Sequence, residues 1–400
     1  MAFGVYIHIP YCLQICPYCD FTKYEFGKIM PPETYVETLS REIRSRAVDV
    51  PFKMIDTIYF GGGTPSLFEP SLILAILDEL ANAGFHRAKD AELTIEIDPA
   101  TVDQSRLDGY LRIGINRFSV GAQTFNARLL KIAGRKHTSE QTVELLSLLK
   151  RNKVNYSFDL LFALPSQTRE ELRLDVATAL NFEPSHLSAY CLTVPEGHPM
   201  AQGRAPDEEQ VEMFEIIESE LAKAGVLRYE ISNYAKPGLE SHHNLLYWTD
   251  QAYWGLGTGA HSYFPALGDW GTRFSNAPAI NLYEREIKAM SDCKEGTGER
   301  AKPWQFTRDL GEKNLDPLQR HEAVTDFCHT AMRLTRGLER NALRLKFGPQ
   351  VETKIAEIMG ELVKRELVVE TSVGWALTKA GRLLANVVFE RLTVSADALS

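Results

Sequence analysis

Short apolar runs alternate along the first half of the chain with stretches in which apolar residues recur every three to four positions. The runs Val5–Ile9, Ile55–Phe60, Glu92–Ile97, Arg117–Val120, Tyr156–Phe162 and His186–Thr193 are rich in β-branched and aromatic residues. Each ends near Gly, Pro or a polar residue, so each predicts a strand. Helical patterns with start signals lie between them. Thr138 with Gln141 predicts a capping box before Val143, Leu145, Leu146 and Leu149, and Thr168 with Glu171 predicts another before Leu172, Val176 and Leu180. Asp207 opens a helix that carries Val211, Phe214, Ile217 and Leu221 on one face and stops at Gly225. Six strand–helix alternations in roughly two hundred residues predict a parallel sheet covered by helices. Periodicity alone does not separate an open sheet from a barrel.

The pattern changes after residue 228. Residues 229–275 are rich in Gly, Tyr, Trp and His and show little helical periodicity. From about Pro303 it turns helical again, with Glu322–Leu334, Leu338–Phe347 and Val351–Lys364. The strand candidates Leu367–Glu370 and Gly374–Leu377 follow, with a turn near Ser372, and then a helix from Thr378. Helices followed by a small hairpin predict a winged-helix-like domain. The expected organisation is 1–228 for the parallel sheet unit, 229–302 for a Gly/aromatic connecting region, and 303–400 for the C-terminal domain.

Composition narrows the function class. The chain has 400 residues and a net charge of −9, which gives no nucleic-acid footprint, so interdomain packing is the expected role of the winged domain. No apolar run reaches the length of a membrane span. Met1-Ala2-Phe3-Gly4 lacks the regions of a signal peptide. Six cysteines in a chain this long, three of them bunched, suit a reducing cytoplasm, with peripheral contact with a membrane left open.

The bunched cysteines form Cys12-x3-Cys16-x2-Cys19, directly after the first strand. Zinc sites usually pair C-x2-C with a second such pair or with two His, and ferredoxin clusters use other gaps. Three thiolates at this spacing can hold three irons of a [4Fe–4S] cube and leave the fourth open. Other polar groups gather just past strand ends: Gly61-Gly62-Gly63-Thr64-Pro65 after the second, Asp98 after the third, Gln123 after the fourth. The C-terminal ends of parallel strands are where such sheets carry their chemistry.

The cysteine motif, with Tyr18 before its last member, resembles the signature of radical S-adenosylmethionine (SAM) proteins. The resemblance implies a partial (β/α)6 TIM-type barrel, SAM bound at the open iron, and reductive cleavage of SAM to a 5′-deoxyadenosyl radical. It implies that Gly62, Gly63 and Thr64 lie against the methionine amino group and that Tyr6 orders the cluster or SAM. Glu96, Gln123, Arg135 and Asp159 align with further SAM contacts. Their types suit the ligand, since carboxylates accept from ribose hydroxyls or the ammonium group and Arg pairs with the methionine carboxylate. Asp159 interrupts an apolar strand, where an unpaired charge would be costly.

Within that superfamily the chain is similar to coproporphyrinogen-oxidase-like proteins. The oxygen-independent oxidase carries a fourth cysteine two residues after the third, where this chain has Phe21, and the chain begins almost at the first strand. Both departures put porphyrinogen decarboxylation in doubt. Oxidase activity, or another radical SAM reaction on porphyrins, stays as the alternative. Ser241–Trp248 contains His243-Asn244-x-x-Tyr247-Trp248, which resembles the haem-binding signature of HemW-like haem chaperones, as does Gly255–Ser262. Imidazole is a normal haem ligand, and Tyr and Trp offer flat faces to a porphyrin. From spacing alone these residues read as an aromatic cluster closing the barrel. The resemblance implies a haem site, with His243 the first candidate ligand and His242 and His261 the others. It further implies delivery of haem to an apo-haem protein, a membrane-bound respiratory protein among the candidates, and leaves homodimerisation open.

Overall fold

The computed structural model describes residues 1–294 and 315–399. The expected 302/303 boundary and the start of helical pattern at Pro303 lie outside the described residues.

Six parallel strands form the expected sheet in sequence order: β1 (Phe3–Ile9), β2 (Met54–Gly62), β3 (His86–Ile97), β4 (Arg117–Gln123), β5 (Asn155–Phe162) and β6 (His186–Cys191). Six of the seven residues of β1 are buried, which is why its sequence reads as a near-continuous apolar run and not as a strict alternation. Helices cover the sheet: α1 (Pro32–Arg46), α2 (Pro70–Asn82), α3 (Gln104–Arg112), α4 (Ala127–Ile132), α5 (Ser139–Arg151), α6 (Arg169–Asn181) and α7 (Asp207–Lys223). Both capping boxes form. Thr138 N donates to Gln141 Oε1 at 2.9 Å and Gln141 N to Thr138 Oγ1 at 3.3 Å; the Thr168–Glu171 pair does the same at 2.9 and 3.2 Å.

Two expectations are corrected. Gly61 and Gly62 do not lie past the end of β2; they continue the strand, opposite His8 and Ile9 of β1. The stretch 229–275 is not merely connective. It holds a short helix, α8 (His242–Trp248), and the strand Ala252–Leu256, which lies parallel to β1 on its free side. His261–Phe264, Thr272–Ser275 and Leu315–Pro317 extend that side with antiparallel strands, while Asn233–Ala235 and Leu227–Arg228 extend the β6 side. The two outer strands of this curled sheet are not bonded to each other among the described residues, so the barrel is partial.

One apolar core lies between the sheet and its helix layer, with Ile7, Phe60, Ile95, Phe118 and Phe158 fully buried. A second core, built on Val324, Leu343, Ile355, Met359 and Trp375, holds the C-terminal region. There the helices Arg320–Arg333, Arg340–Phe347 and Pro349–Lys364 stand with a three-stranded antiparallel sheet of Leu338–Glu339, Gly374–Leu377 and Val368–Glu370, a winged-helix arrangement. The expected helix at Leu338 starts two residues later because Leu338 and Glu339 pair with Trp375 and Gly374. Trp270 stacks on Phe347 at 5.7 Å, and Lys346 pairs with Asp250, joining the two cores. No helix of the described residues is long and apolar enough to cross a membrane.

Candidate functional site

A cavity of about 480 Å³ opens at the C-terminal ends of the parallel strands. Cys12, Cys16, Cys19, Gly62, Gly63, Thr64, Glu96, Gln123 and Arg135 all line it. The chain leaving β1 is tied back at several points. The carbonyl of Ile9 accepts from Gly63 N at 2.8 Å, that of Tyr11 from Thr64 N at 2.7 Å, and that of Cys12 from Phe26 N at 2.9 Å. His8 Nε2 donates to the Thr22 carbonyl at 2.7 Å, with Tyr6 hydroxyl on its Nδ1 at 3.0 Å. The cysteine loop is therefore clamped at both ends. Glycine is required at 63 by this approach: a Cβ there would lie 2.6 Å from the Tyr11 carbonyl oxygen and 3.0 Å from Cys12 Sγ.

Gln123 reaches the cavity by a backbone device. The β4–β5 register slips between Val120 and Gln123, and Gln123 has φ of 63°. A bulge at a strand end re-aims a side chain, and strained backbone of this kind gathers at functional sites. Arg135 donates to Asp98 Oδ2 at 2.7 Å and to the Gly121 carbonyl at 3.1 Å, and its other terminal nitrogen lies 3.8 Å from Cys16 Sγ. Glu96 accepts from Tyr59 hydroxyl at 2.9 Å and from Gly62 N at 3.1 Å. Burial, and then the charge of Asp159, push the Glu96 carboxyl up to about 7; burial pushes Asp159 up to about 6 and the Cys12 thiol up to about 11.

The donor set fits an iron–sulfur cluster. Three thiols from one clamped loop share a cavity, with a guanidinium beside one of them to offset thiolate charge. Among the described residues no three His, Cys, Asp or Glu side chains converge on a single ion position.

Two expected SAM residues stand apart from the cavity lining. Tyr6 is turned into the barrel interior, 6.1 Å from Tyr59 and bonded to His8. Asp159 bonds to Ser188 and acts on the cavity through its field at Glu96. Asp98, read in the sequence only as a polar strand end, anchors Arg135 and His137. Tyr190 stands at the mouth with no motif to mark it.

The histidine motif lies at the opposite end of the barrel. Glu92 of β3 accepts from the amides of His242 and His243 at 3.1 and 3.0 Å and fixes the start of α8. His243 is 1% exposed. Its Nδ1 bonds Thr57 Oγ1 at 2.7 Å, its Nε2 bonds Tyr247 hydroxyl at 2.9 Å, and its ring stacks on Tyr59 at 5.1 Å. Burial lowers its pKa to about 3. Both ring nitrogens thus have a hydroxyl partner. Tyr247 packs edge-on to Tyr253 at 4.7 Å, Trp248 lies under the Arg333 guanidinium at 4.5 Å, and the Asn244 side chain reaches Tyr229. His242 and His261 are exposed.

Comparison with known proteins agrees with this geometry. The family model of the radical SAM superfamily matches residues 6–178. The heme chaperone HemW of Bacillus subtilis (strain 168) is 31% identical over 96% of this chain and 98% of its own length. That of Escherichia coli (strain K12) is 33% identical over 97% of both. Among solved structures, coproporphyrinogen III oxidase (HemN) from Escherichia coli shares the fold with a TM-score of 0.79 at 20% identity, over 98% of this chain and 90% of that one. The chain belongs to the HemW heme chaperone family, within the radical SAM superfamily.

Proposed function

We propose that this protein is a haem-binding chaperone that hands haem to an apo-haem protein. Cys12, Cys16 and Cys19 would hold a [4Fe–4S] cluster, and Gly62, Gly63, Thr64, Glu96, Gln123 and Arg135 would seat SAM beside it. When bound, the cluster supplies an electron to SAM. The chain's own contribution is placement. The Gly63 backbone and His8 hold the cysteine loop, and Arg135 tempers charge at Cys16. Glu96 presents a carboxylate already oriented by Tyr59 and Gly62.

The observation that carries the reading is the three-thiol cavity at one end and the motif helix at the other, in a chain matched nearly end to end by the relatives named above. Phe21, 65% exposed at the rim of the cluster cavity, supports the same side, since it stands where the oxidase pattern has a fourth thiol. The test uses anaerobically reconstituted protein. Stoichiometric haemin binding, followed by the Soret band, is expected, with no catalytic turnover of coproporphyrinogen III in the presence of SAM and dithionite. Absence of haemin binding would sink the proposal, and turnover to protoporphyrinogen IX would replace it with an oxidase.

A further inference from the structure

We infer that Lys23 and Lys136 are positioning residues of the cysteine loop, and that their charges raise the reduction potential of the cluster it holds. This rests on the cluster reading above. The two side chains come from different parts of the chain. Lys23 follows the last cysteine by four residues, and Lys136 stands next to Arg135 in the segment after α4. Both line the cavity with the three thiols. Each ammonium is aimed at the loop backbone and not at a carboxylate. Lys23 Nζ donates to the carbonyls of Cys19 and Phe21, the latter at 3.1 Å, and Lys136 Nζ donates to that of Leu13 at 2.8 Å. Neither makes an ion pair with a carboxylate among the described residues.

A tie to a carbonyl needs no net charge. The Pro17 carbonyl of the same loop is held by the His198 imidazole, whose Nε2 lies 3.1 Å away. A lysine at the rim brings a charge as well as a donor. Lys28 gives the contrast: it pairs with Glu25 at 2.8 Å and stands outside the cavity lining. Burial pushes the Cys19 thiol up, and the Lys23 charge works against it, more strongly than Asp20 works with it. Arg135 lies 3.8 Å from Cys16 Sγ, so the loop meets positive charge near its start, middle and end. The chain as a whole carries −9, and these cations run against its average. Reduction adds one negative charge to a cluster held by three thiolates. The charge around such a cluster helps to set its potential, and positive charge that no acid neutralises favours the reduced form.

The full-length protein is reconstituted anaerobically with iron and sulfide. The midpoint of the reduced-cluster EPR signal is then read in a mediated redox titration without SAM. Glutamine keeps a donor for the loop carbonyls and removes the charge. In Lys23→Gln and in Lys136→Gln the reduced-to-oxidised ratio at a fixed potential is expected to fall at least threefold, about 30 mV for a one-electron couple, and the two shifts to add in the double variant. Lys23→Arg and Lys136→Arg are expected to keep the wild-type midpoint, as is Lys28→Gln. A midpoint unmoved in the double variant would overturn the inference and leave the cluster reading standing. Iron loading that is lost in the Gln variants and not restored by Arg would overturn it too, because shape and not charge would then be the lysines' contribution; loading that Arg restores supports it. No cluster iron in the wild type would instead remove the cluster reading, and this one with it.

Discussion

The two ends of the barrel treat their reactive residues in opposite ways. At the mouth, three thiols sit on a loop pinned from outside, so backbone bonds hold the loop and the side chains stay free to face a cavity. At the base, the motif sits on a helix, and a helix divides its residues between two faces. One face of α8 spends His243 and Tyr247 on the barrel interior through Thr57 and Tyr59. The other turns His242 outward. A loop can turn neighbouring residues toward one cavity, whereas adjacent residues on a helix point about 100° apart. The ends are also joined. Glu96 at the mouth bonds Tyr59, whose ring stacks on His243 at the base.

The comparison breaks most visibly at the mouth. Cys16→Ala is expected to abolish cluster iron and the broad visible absorbance of the reconstituted protein, while haemin titration at the base is retained within about twofold. Iron analysis and the Soret band read the two ends separately, and simultaneous loss of both would show that the base depends on the cluster. Gly63→Ala is next, because the two nearest atoms facing its Cβ are backbone, the carbonyl oxygen and amide nitrogen of Tyr11. A destabilisation of about 2–3 kcal/mol and poor cluster loading are expected, by urea denaturation and iron content. An unchanged urea midpoint would mean that the cysteine loop is not clamped as described.

At the base, His243→Leu removes a partner from both Thr57 and Tyr247 and is expected to cost about 2–4 kcal/mol in urea denaturation. The pH dependence has a definite sign. The His243 and His8 rings are buried and neutral, with pKa lowered to about 3 and about 4, whereas in the unfolded chain both protonate near 6.5. Below 6.5 the unfolded state binds more protons. Stability is therefore full above pH 6.5 and falls as the pH drops toward 4 and then 3, with each ring costing about 2 kcal/mol at pH 5. Urea midpoints at pH 5 and pH 7.5 check this, and His243→Leu should flatten the slope; a midpoint unmoved between the two values would refute buried neutral rings.

The smallest effect concerns Glu96. Its carboxyl titrates near 7, and only the ionised form offers acceptors alone to SAM hydroxyls or ammonium. SAM affinity is expected to rise severalfold from pH 6 to 8 and to be flat and about tenfold weaker in Glu96→Gln, by equilibrium dialysis. A wild-type affinity independent of pH would place Glu96 outside the ligand shell.

Legibility from sequence followed the range of the interactions. The six parallel strands, both capping boxes and the C-terminal hairpin Val368–Leu377 were readable because each depends on residues a few positions apart. The cysteines were readable for the same reason, as were Gly62, Gly63 and Thr64. Gln123 could be named as a polar strand end, but the bulge and positive φ that aim it could not. Tyr6 and Asp159 do not line the cavity; Tyr6 bonds His8 and Asp159 bonds Ser188, contacts across strands that the sequence does not display. The strand Ala252–Leu256 was missed. Its partner is β1, some 250 residues away, and short Gly-containing segments carry little strand signal of their own.

The sequence by itself determined the local units and the chemical alphabet: parallel strand–helix repeats, three thiols on one turn, and a histidine motif some 230 residues later. Tertiary structure alone decided what those units face. Glu42 of α1 shows the reason. It accepts from Gly257 N at 2.9 Å, from Asn276 Nδ2 at 2.7 Å and from Tyr283 hydroxyl at 2.6 Å, and pairs with Arg46 at 2.5 Å, so one buried carboxylate fastens the Ala252–Leu256 side of the sheet to the first helix. Nothing local marks it, because a buried charge is tolerated only when partners from distant segments converge on it. The same holds for His242 and His243. They are adjacent in sequence and identical in type, and only the packing of α8 against the barrel turns one toward a cavity and the other into the core.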